Sequence, residues 1–133
     1  MNDDLHVLRF HAKERTEGRT FRWTRATSYV SVTAVPPNAR EVTLEMSDGG
    51  RPAAVPPAEV GVYLHGQLLG TIRVGHGFHP YSLPIPADLA ARATAYRDPV
   101  ELKLVTSVWN PHEAFGVPDD RNLGVMVDRV AVR

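Results

Sequence analysis

The sequence predicts an all-β protein: a two-sheet antiparallel β-sandwich of jelly-roll topology, with about nine strands and at most one short helix. Two observations predict this fold. Apolar and β-branched residues alternate with polar ones along many short segments, as they do in strands with one buried face. Eleven prolines and ten glycines separate those segments, at the spacing of roughly ten residues that is typical of sandwiches. The chain has no cysteine, so it lacks the Cys–Trp–Cys pattern of an immunoglobulin domain.

The alternation is clearest in the segment YVSVTAV. There Val30, Val32 and Ala34 fall on one face of a strand, and Ser31 and Thr33 fall on the other. The same reading along the chain predicts nine strands. They are Leu5–Phe10, Thr20–Thr24, Ser28–Ala34, Glu41–Met46, Glu59–Leu64, Leu68–Val74, His79–Leu83, Val100–Val108 and Gly124–Val132.

One tight hairpin and one helix complete the predicted elements. The segment VYLHGQLLGTIRV contains two apolar runs around His65-Gly66, and Gly66 supplies the positive φ of a short turn. The Ala-rich stretch Ala87–Arg97 follows a proline and is stopped by Asp98-Pro99, which predicts a short helix. The proline-rich stretches VPPN and RPAAVPPAE are predicted to be loops, because strands resume directly after them.

Length and composition indicate one globular domain over residues 1–133, with residues 1–4 disordered. The formal net charge is zero, which disfavours nucleic acid and anionic membranes as partners. The absence of cysteine excludes disulfides, thiolate catalysis and Cys-type zinc sites. The acidic start has no apolar run behind it, and no stretch is long enough to span a bilayer. These features predict a protein without membrane insertion that is cytoplasmic by default.

Five segments carry a resemblance to a known kind of domain. They are TFRWTRATSYVSV, EVGVYLHGQLLGTIRV, FHPYSLPIP, VELKLVTSVWNP and DDRNLGVMVDRVAV. From about Phe10 onward the chain resembles a β-sandwich domain found beside bacterial glycosyltransferase and other cell-envelope polysaccharide modules. More broadly, it is similar to galactose-binding-like jelly rolls and carbohydrate-binding modules. The Asp-Asp-Arg-x-Leu-Gly motif before the last strand is the most specific part. The resemblance implies a non-catalytic module that accompanies sugar chemistry, but no particular binding residues.

The predicted binding edge lies in the loops around the segment WNPHEAFGVPDDR. An aromatic residue in such a loop can stack on the apolar face of a sugar, and carboxylates with a neighbouring arginine can bond its hydroxyls. Loops on a rigid sandwich are where such modules usually recognise ligands. The predicted ligand-binding residues are Trp109, His112, Asp119, Asp120 and Arg121.

A structural interpretation competes at this edge. Asp120 can accept backbone N–H groups in the turn, while Arg121 pairs with an acid on an adjacent strand, for which Glu14 is the candidate. Trp109 can likewise cap the end of the sandwich core instead of being exposed. Earlier in the chain, Trp23 is predicted to lie in the core with Phe21.

That placement leaves Arg22 exposed, on the same face as Thr20 and Thr24.

The distribution of ligand residues offers two candidate metal sites, against the alternatives that Arg121 already neutralises the acids and that the histidines are solvent-facing loop residues. Glu14 and Asp128, together with Asp119 and Asp120, offer the hard oxygen atoms that a structural calcium ion requires. A zinc site is the second possibility, with imidazole ligands from three turn residues. They are His65, His76 and His79.

The sequence contains no nucleophile elbow and no phosphate-binding glycine loop. Asp119 and Asp120 are adjacent, so they cannot face each other as a glycosidase pair. The first hypothesis is therefore a non-catalytic carbohydrate-binding-like accessory module, with weak glycan recognition through loops and a glycosyltransferase or other envelope-polysaccharide protein as partner. The alternative is an interaction domain that packs on such a partner or self-associates without a small ligand.

Overall fold

The computed structural model describes residues 7–16, 18–33, 35–96 and 99–133. The predicted disorder of residues 1–4 lies outside these ranges, as do the predicted first two residues of the first strand. The predicted helix end at positions 97–98 also lies outside them.

Nine strands and two helices make up most of the described residues, and the helices flank the eighth strand. The strands are β1 Val7–Phe10, β2 Glu14–Thr16, β3 Arg19–Val32, β4 Glu41–Ser47, β5 Glu59–Leu64, β6 Gln67–Arg73, β7 His79–Pro84, β8 Val100–Thr106 and β9 Met126–Val132. The helices are α1 Ala87–Ala95 and α2 Pro111–Phe115. The all-β prediction and the helix over α1 are confirmed. The prediction of at most one helix is wrong, because α2 forms within the segment expected to be a loop.

The strands form a nearly closed antiparallel sheet in the order β6-β5-β8-β3-β9-β4-β7, with β1 and β2 also paired to β3. The two end strands, β6 and β7, approach each other. Their contact is close: a β-carbon on Gly70 would lie 2.9 Å from a methyl group of Leu83. The fourteen-residue strand β3 joins the two halves of this barrel-like sheet, because it pairs with β8 through its second half and with β9 through its first. The two predicted strands Thr20–Thr24 and Ser28–Ala34 are therefore one element.

The barrel-like sheet has two different ends. At one end lies α1, whose Leu89, Ala90 and Ala93 are buried in the main core. At the other end lie three loops, residues 48–58, 74–78 and 107–125. We call this the loop end. It contains every residue of the predicted binding edge.

Buried side chains form two clusters on opposite faces of β3 and β9. The main core contains Val125, just before β9, and Val127 of β9, together with inward residues of most of the other strands. The smaller cluster lies beneath the loops and is mostly aromatic. Its members are Phe21, Trp23, Trp109, Leu123 and Met126, with Val55 and Phe78 packed against them.

The core position predicted for Trp23 and Phe21 is confirmed. The exposed position predicted for Arg22 is wrong: Arg22 is partly buried, and Thr24 on the same face is fully buried. The physical reason is that both faces of β3 are covered here, one by the main core and the other by the loops.

Candidate functional site

Arg121 connects the approach to β9 with the beginning of the chain. Its Nε and Nη2 donate to the two carboxylate oxygens of Asp119 at 2.9 and 2.8 Å, which is a bidentate pair. Its Nη1 donates to Glu14 Oε2 on β2 at 2.9 Å. The Arg121 backbone N–H also donates to Asp119 Oδ1 at 3.2 Å. The predicted partner Glu14 is therefore found, and the three residues form a clamp between the loop and β2.

The hydrogen bonds of the clamp shift the pKa values of Asp119 and Arg121. The side-chain hydrogen bond from Arg121 lowers the pKa of Asp119 to about 2. The hydrogen bond to Asp119 raises the pKa of Arg121, and the bond to Glu14 raises it further. All three side chains are roughly one-third exposed. Asp119 and Arg121 therefore stay ionised at neutral pH. The clamp is reached by solvent, but its hydrogen-bonding groups are directed at one another.

Leu123 and Gly124 complete the Asp-Asp-Arg-x-Leu-Gly motif. Leu123 and Trp109 exchange two backbone hydrogen bonds, of 2.9 and 2.7 Å. Gly124 donates to Thr24 O at 2.9 Å, and a β-carbon there would overlap the Thr24 hydroxyl. That hydroxyl accepts a hydrogen bond from the Val125 N–H at 3.0 Å. The motif therefore consists of a clamp, a bridge and a close backbone approach, and each of them fixes the start of β9.

Trp109 is buried, with only 9% of its surface accessible. The exposed indole expected at the binding edge is therefore not there; the ring belongs to the smaller cluster, as in the capping interpretation. Its Nε1 has no hydrogen-bond partner within the part of the chain that the structure describes. The exposed ring at this edge is Phe115, which is 61% accessible and meets Trp109 edge to face at 6.1 Å.

The helix α2 holds Phe115 in place, and short-range signals explain the helix. The Asn110 side chain accepts the Glu113 N–H at 3.1 Å as an N-cap, Pro111 occupies the first turn, and Gly116 ends the helix with a positive φ of 69°. The Asn110 Nδ2 also donates to the Asp120 carboxylate at 3.1 Å. Asparagine before Pro and a glycine five residues after that Pro were the signals that sequence reasoning missed.

His112 and Asp120 stand on the exposed side of this loop. The His112 Nδ1 lies 2.8 Å from Val117 O, and its backbone N–H donates to Asp119 O at 2.8 Å. These bonds close residues 110–121 into a compact loop over Trp109. Four of the five predicted ligand residues therefore lie around one loop surface, with Trp109 as its buried base.

Arg51 is a buried residue that sequence reasoning missed. Its guanidinium donates to Pro56 O at 2.8 Å, to the side chain and carbonyl of Ser107 at 3.0 and 2.7 Å, and to Gly124 O at 2.9 Å. Burial lowers the pKa of Arg51, and the charge of Asp48 counteracts this shift. Arg51 therefore ties the 48–58 loop to the end of β8 and to the motif before β9. It lies in a proline-rich stretch without periodicity, so no sequence pattern indicated its burial.

A shallow cleft of about 290 Å³ opens beside Arg51. Its walls are mostly apolar and include Pro52, Val55 and Val74. The buried Asp48 lies at its edge, where Oδ1 accepts the Gly50 N–H at 2.9 Å and lies 2.8 Å from His76 Nδ1. The cleft is a recess at the loop end. Residues 110–121, which we call the α2 loop, form a largely exposed projection at the same end.

Three of the four predicted calcium ligands are engaged with arginine side chains. Glu14 pairs with Arg121, whereas Asp128 on β9 accepts a hydrogen bond from Arg19. His65 and His76 lie beyond opposite ends of β6, so the zinc arrangement is not formed. Over the described ranges, no three His, Asp or Glu side chains are grouped as a metal ion would require.

Within the described parts of the chain, no helix has the length and apolar character needed to cross a bilayer. Comparison with known protein families and with curated proteins gives no match.

Proposed function

We propose that this protein is a non-catalytic, carbohydrate-binding-like accessory module that recognises a glycan weakly through the α2 loop. The observation that carries the proposal is Phe115: an aromatic ring that is 61% exposed yet held by a capped helix and a buried tryptophan. A large exposed ring on a fixed support suits a ligand with a flat apolar face, because little side-chain entropy is lost on binding.

The neighbours of Phe115 supply suitable polar chemistry. The Asp120 carboxylate can accept hydrogen bonds from sugar hydroxyl groups. His112 has a second ring nitrogen, besides the one near Val117, that can hydrogen-bond a ligand. In this proposal Asp119 and Arg121 hold the loop and contact the ligand only at its margin, since their bonds already join them to each other and to Glu14. One ring contact contributes about 0.5–1.5 kcal/mol beyond area burial, which corresponds to weak affinity.

The broader context of this proposal follows the resemblance of the sequence. The chain would accompany a glycosyltransferase or another protein of bacterial envelope-polysaccharide synthesis. In this view, the halves of the sheet that meet at β3 act as the two layers of a jelly-roll sandwich, which presents its loops at one end.

Titration of the isotope-labelled protein with soluble oligosaccharides, followed by amide chemical shifts, tests the proposal. The expected result is saturable shifts at residues 110–121 and their loss in Phe115→Ala. Tyr96→Ala is the matched control, because Tyr96 is also an exposed aromatic residue but lies after α1 at the other end. The proposal fails if no oligosaccharide moves these amides at millimolar concentration, or if Phe115→Ala binds as well as Tyr96→Ala.

An interaction domain without a small ligand is the second candidate. This candidate is favoured because the polar groups of Asp119, Arg121 and Glu14 hydrogen-bond one another and are directed away from a ligand. Such a module would use its surface to pack on a protein partner. The absence of any shift with oligosaccharides, together with an intact fold, is the result this candidate expects.

A further inference from the structure

Two stretches of chain line the cleft of about 290 Å³ at the loop end. One belongs to the 48–58 loop, and the other is the end of β6 with the residues just after it. Two backbone hydrogen bonds join these walls: Val74 donates to Ala58 O at 2.9 Å, and Asp48 donates to Gly75 O at 3.0 Å. The cleft is therefore formed in advance of any ligand, and its volume is near the lower limit of ligand pockets.

The carboxylate of Asp48 is a buried polar group of this cleft. Only 7% of the residue is accessible, and its Oδ1 is used by the Gly50 N–H at 2.9 Å and by His76 Nδ1 at 2.8 Å. Over the residues that the structure describes, Oδ2 has no hydrogen-bond partner. Buried polar atoms are normally hydrogen-bonded, because an unpaired acceptor costs free energy. Oδ2 is therefore the acceptor that the cleft offers to a ligand.

The donor of the cleft is Arg73 and not the buried Arg51. The Nη1 and Nη2 atoms of Arg51 already make four hydrogen bonds to carbonyl and hydroxyl oxygens, and its Nε is buried. Arg73 lines the same cleft, and its side chain is 69% exposed. It lies 4.0 Å from Glu59, which is the limit of an ion pair. Its guanidinium can therefore turn to a ligand at little cost.

The charges around the cleft balance one another. Asp48 and Glu59 are negative, Arg51 and Arg73 are positive, and His76 adds a charge only when it is protonated. This balance does not favour a ligand with a net charge of either sign. A ligand that carries both charges is complementary, with its positive group at the carboxylate and its negative group at the exposed guanidinium.

The remaining surface of the cleft is mostly apolar. Its lining includes Pro52, Val55, Pro57 and Val74. Val55 also packs against the aromatic cluster beneath the loops, which holds this wall in place. Apolar walls with a few placed polar groups are typical of small-molecule sites. A small molecule with an apolar side chain next to its two charges fits this lining better than a sugar, which is polar over most of its surface.

We propose that this cleft binds a small zwitterion with an apolar side chain, of the kind that a free aliphatic amino acid represents. Its ammonium group donates to Asp48 Oδ2, its carboxylate accepts from Arg73, and its side chain lies against Val55 and the prolines. The site uses other residues than the α2 loop and does not depend on glycan binding. The affinity is weak, about millimolar, because the cleft is shallow and solvent screens the exposed arginine.

The test uses three probes of similar size that differ in charge: leucine, N-acetylleucine, which lacks the ammonium group, and leucinamide, which lacks the carboxylate. Amide chemical shifts of the full chain, at constant pH and ionic strength, report where each probe binds. Leucine is expected to move the amides of residues 48–58 and 73–76 saturably. The other two probes are expected to bind about tenfold more weakly, because each leaves one charged group of the cleft without its partner.

Two variants identify the two contacts. Asp48→Asn keeps an Oδ1 acceptor for Gly50 but removes the charge, so it should weaken leucine about tenfold and should not weaken N-acetylleucine. Arg73→Gln should weaken leucine about tenfold and leave leucinamide nearly unchanged. Arg92→Gln is the matched control, because Arg92 is also an exposed, loosely paired arginine but lies on α1 at the other end. It should leave leucine binding intact.

The proposal is overturned if leucine moves none of these amides at millimolar concentration, or if the three probes bind equally. It is also overturned if Arg73→Gln binds leucine as well as Arg92→Gln does. These comparisons decide the outcome even if Asp48→Asn fails to fold. Shifts of the cleft amides by oligosaccharides, with none by leucine, would overturn it in favour of a sugar site in the cleft.

Discussion

Arg121 donates a 2.9 Å hydrogen bond to Glu14, although the two residues lie 107 positions apart in the sequence. The bond joins the approach to the last strand with the short strand β2, and Asp119 holds the same guanidinium from the other side. The cluster of charges before β9 therefore has a direct structural role. It fixes where the C-terminal segment meets the N-terminal one.

Replacing Arg121 with Gln is expected to lower the free energy of unfolding by about 1 kcal/mol, because the pair is partly exposed and solvent weakens it. Denaturant unfolding at neutral pH measures the change. A double-mutant cycle with Glu14→Gln isolates the contact, since the two single changes should sum to more than the double change. Strict additivity would show that the contact contributes nothing.

The lowered pKa of Asp119 predicts an acid-dependent loss of stability. In the unfolded chain this carboxyl titrates near 3.8, and in the folded chain it titrates near 2. Its contribution to stability is therefore complete above about pH 4 and is lost as the pH falls toward 2. Urea unfolding from pH 5 to pH 2 should show a shallower fall for Asp119→Asn than for the natural protein. Identical slopes for the two proteins would contradict the shift.

Gly124→Ala is expected to destabilise the fold by about 1–3 kcal/mol, because the new β-carbon would overlap the Thr24 hydroxyl and lie 3.0 Å from a Thr106 methyl group. Thermal unfolding provides the measurement. Gly61→Ala is the matched control, since the nearest atom to its β-carbon is at an ordinary 3.5 Å. If both variants unfold at the same temperature, the close approach at Gly124 carries no cost.

Arg51→Met is expected to cost about 3–5 kcal/mol, because the carbonyl groups of Pro56, Ser107 and Gly124 would lose a buried charged donor. Arg51→Lys should restore little of this, since an ammonium group cannot replace the planar fork. Arg73→Met provides the comparison, because that guanidinium is largely exposed. If Arg51→Met lowers the free energy of unfolding no more than Arg73→Met does, the hydrogen bonds of Arg51 are dispensable for stability.

Substitutions of Trp109 and Phe115 are expected to differ in their effect on stability, because the first ring is buried and the second is exposed. Trp109→Ala is expected to cost about 3–5 kcal/mol, because it empties a buried site between Leu123 and the rest of the smaller cluster. Phe115→Ala is expected to cost less than about 1 kcal/mol, since most of that ring faces solvent. Chemical unfolding of both variants measures the difference. Equal losses would mean that Phe115 supports the fold and is not free to bind.

Much of the fold could be predicted from the alternation of side chains. Val30 and Val32 on β3 and Leu102 and Leu104 on β8 follow the period of a half-buried strand, and those strands were found. Alternation assigns adjacent residues to opposite faces, but it does not say whether both faces are covered. For that reason the burial of Thr24 beside Trp23 could not be predicted.

The candidate site was less accessible to sequence reasoning, for physical reasons. The clamp partner Glu14 was predicted, because a charge cluster before a strand needs a counter-charge. The five residues of α2 are too few to display a helical period, so Phe115 was missed. Arg51 lies among prolines, where no periodicity reports burial. Trp109 lies in a loop, and whether its ring is buried or exposed depends on tertiary packing that the sequence pattern does not show.

The long strand β3 has a consequence for how the molecule unfolds. It hydrogen-bonds to β1, β2, β8 and β9, so each half of the sheet shares it with the other. Neither half can detach without leaving the backbone hydrogen-bonding groups of β3 unpaired along one edge. The protein should therefore lose its structure in a single cooperative event, with the amides of β3 exchanging with deuterium only through global opening.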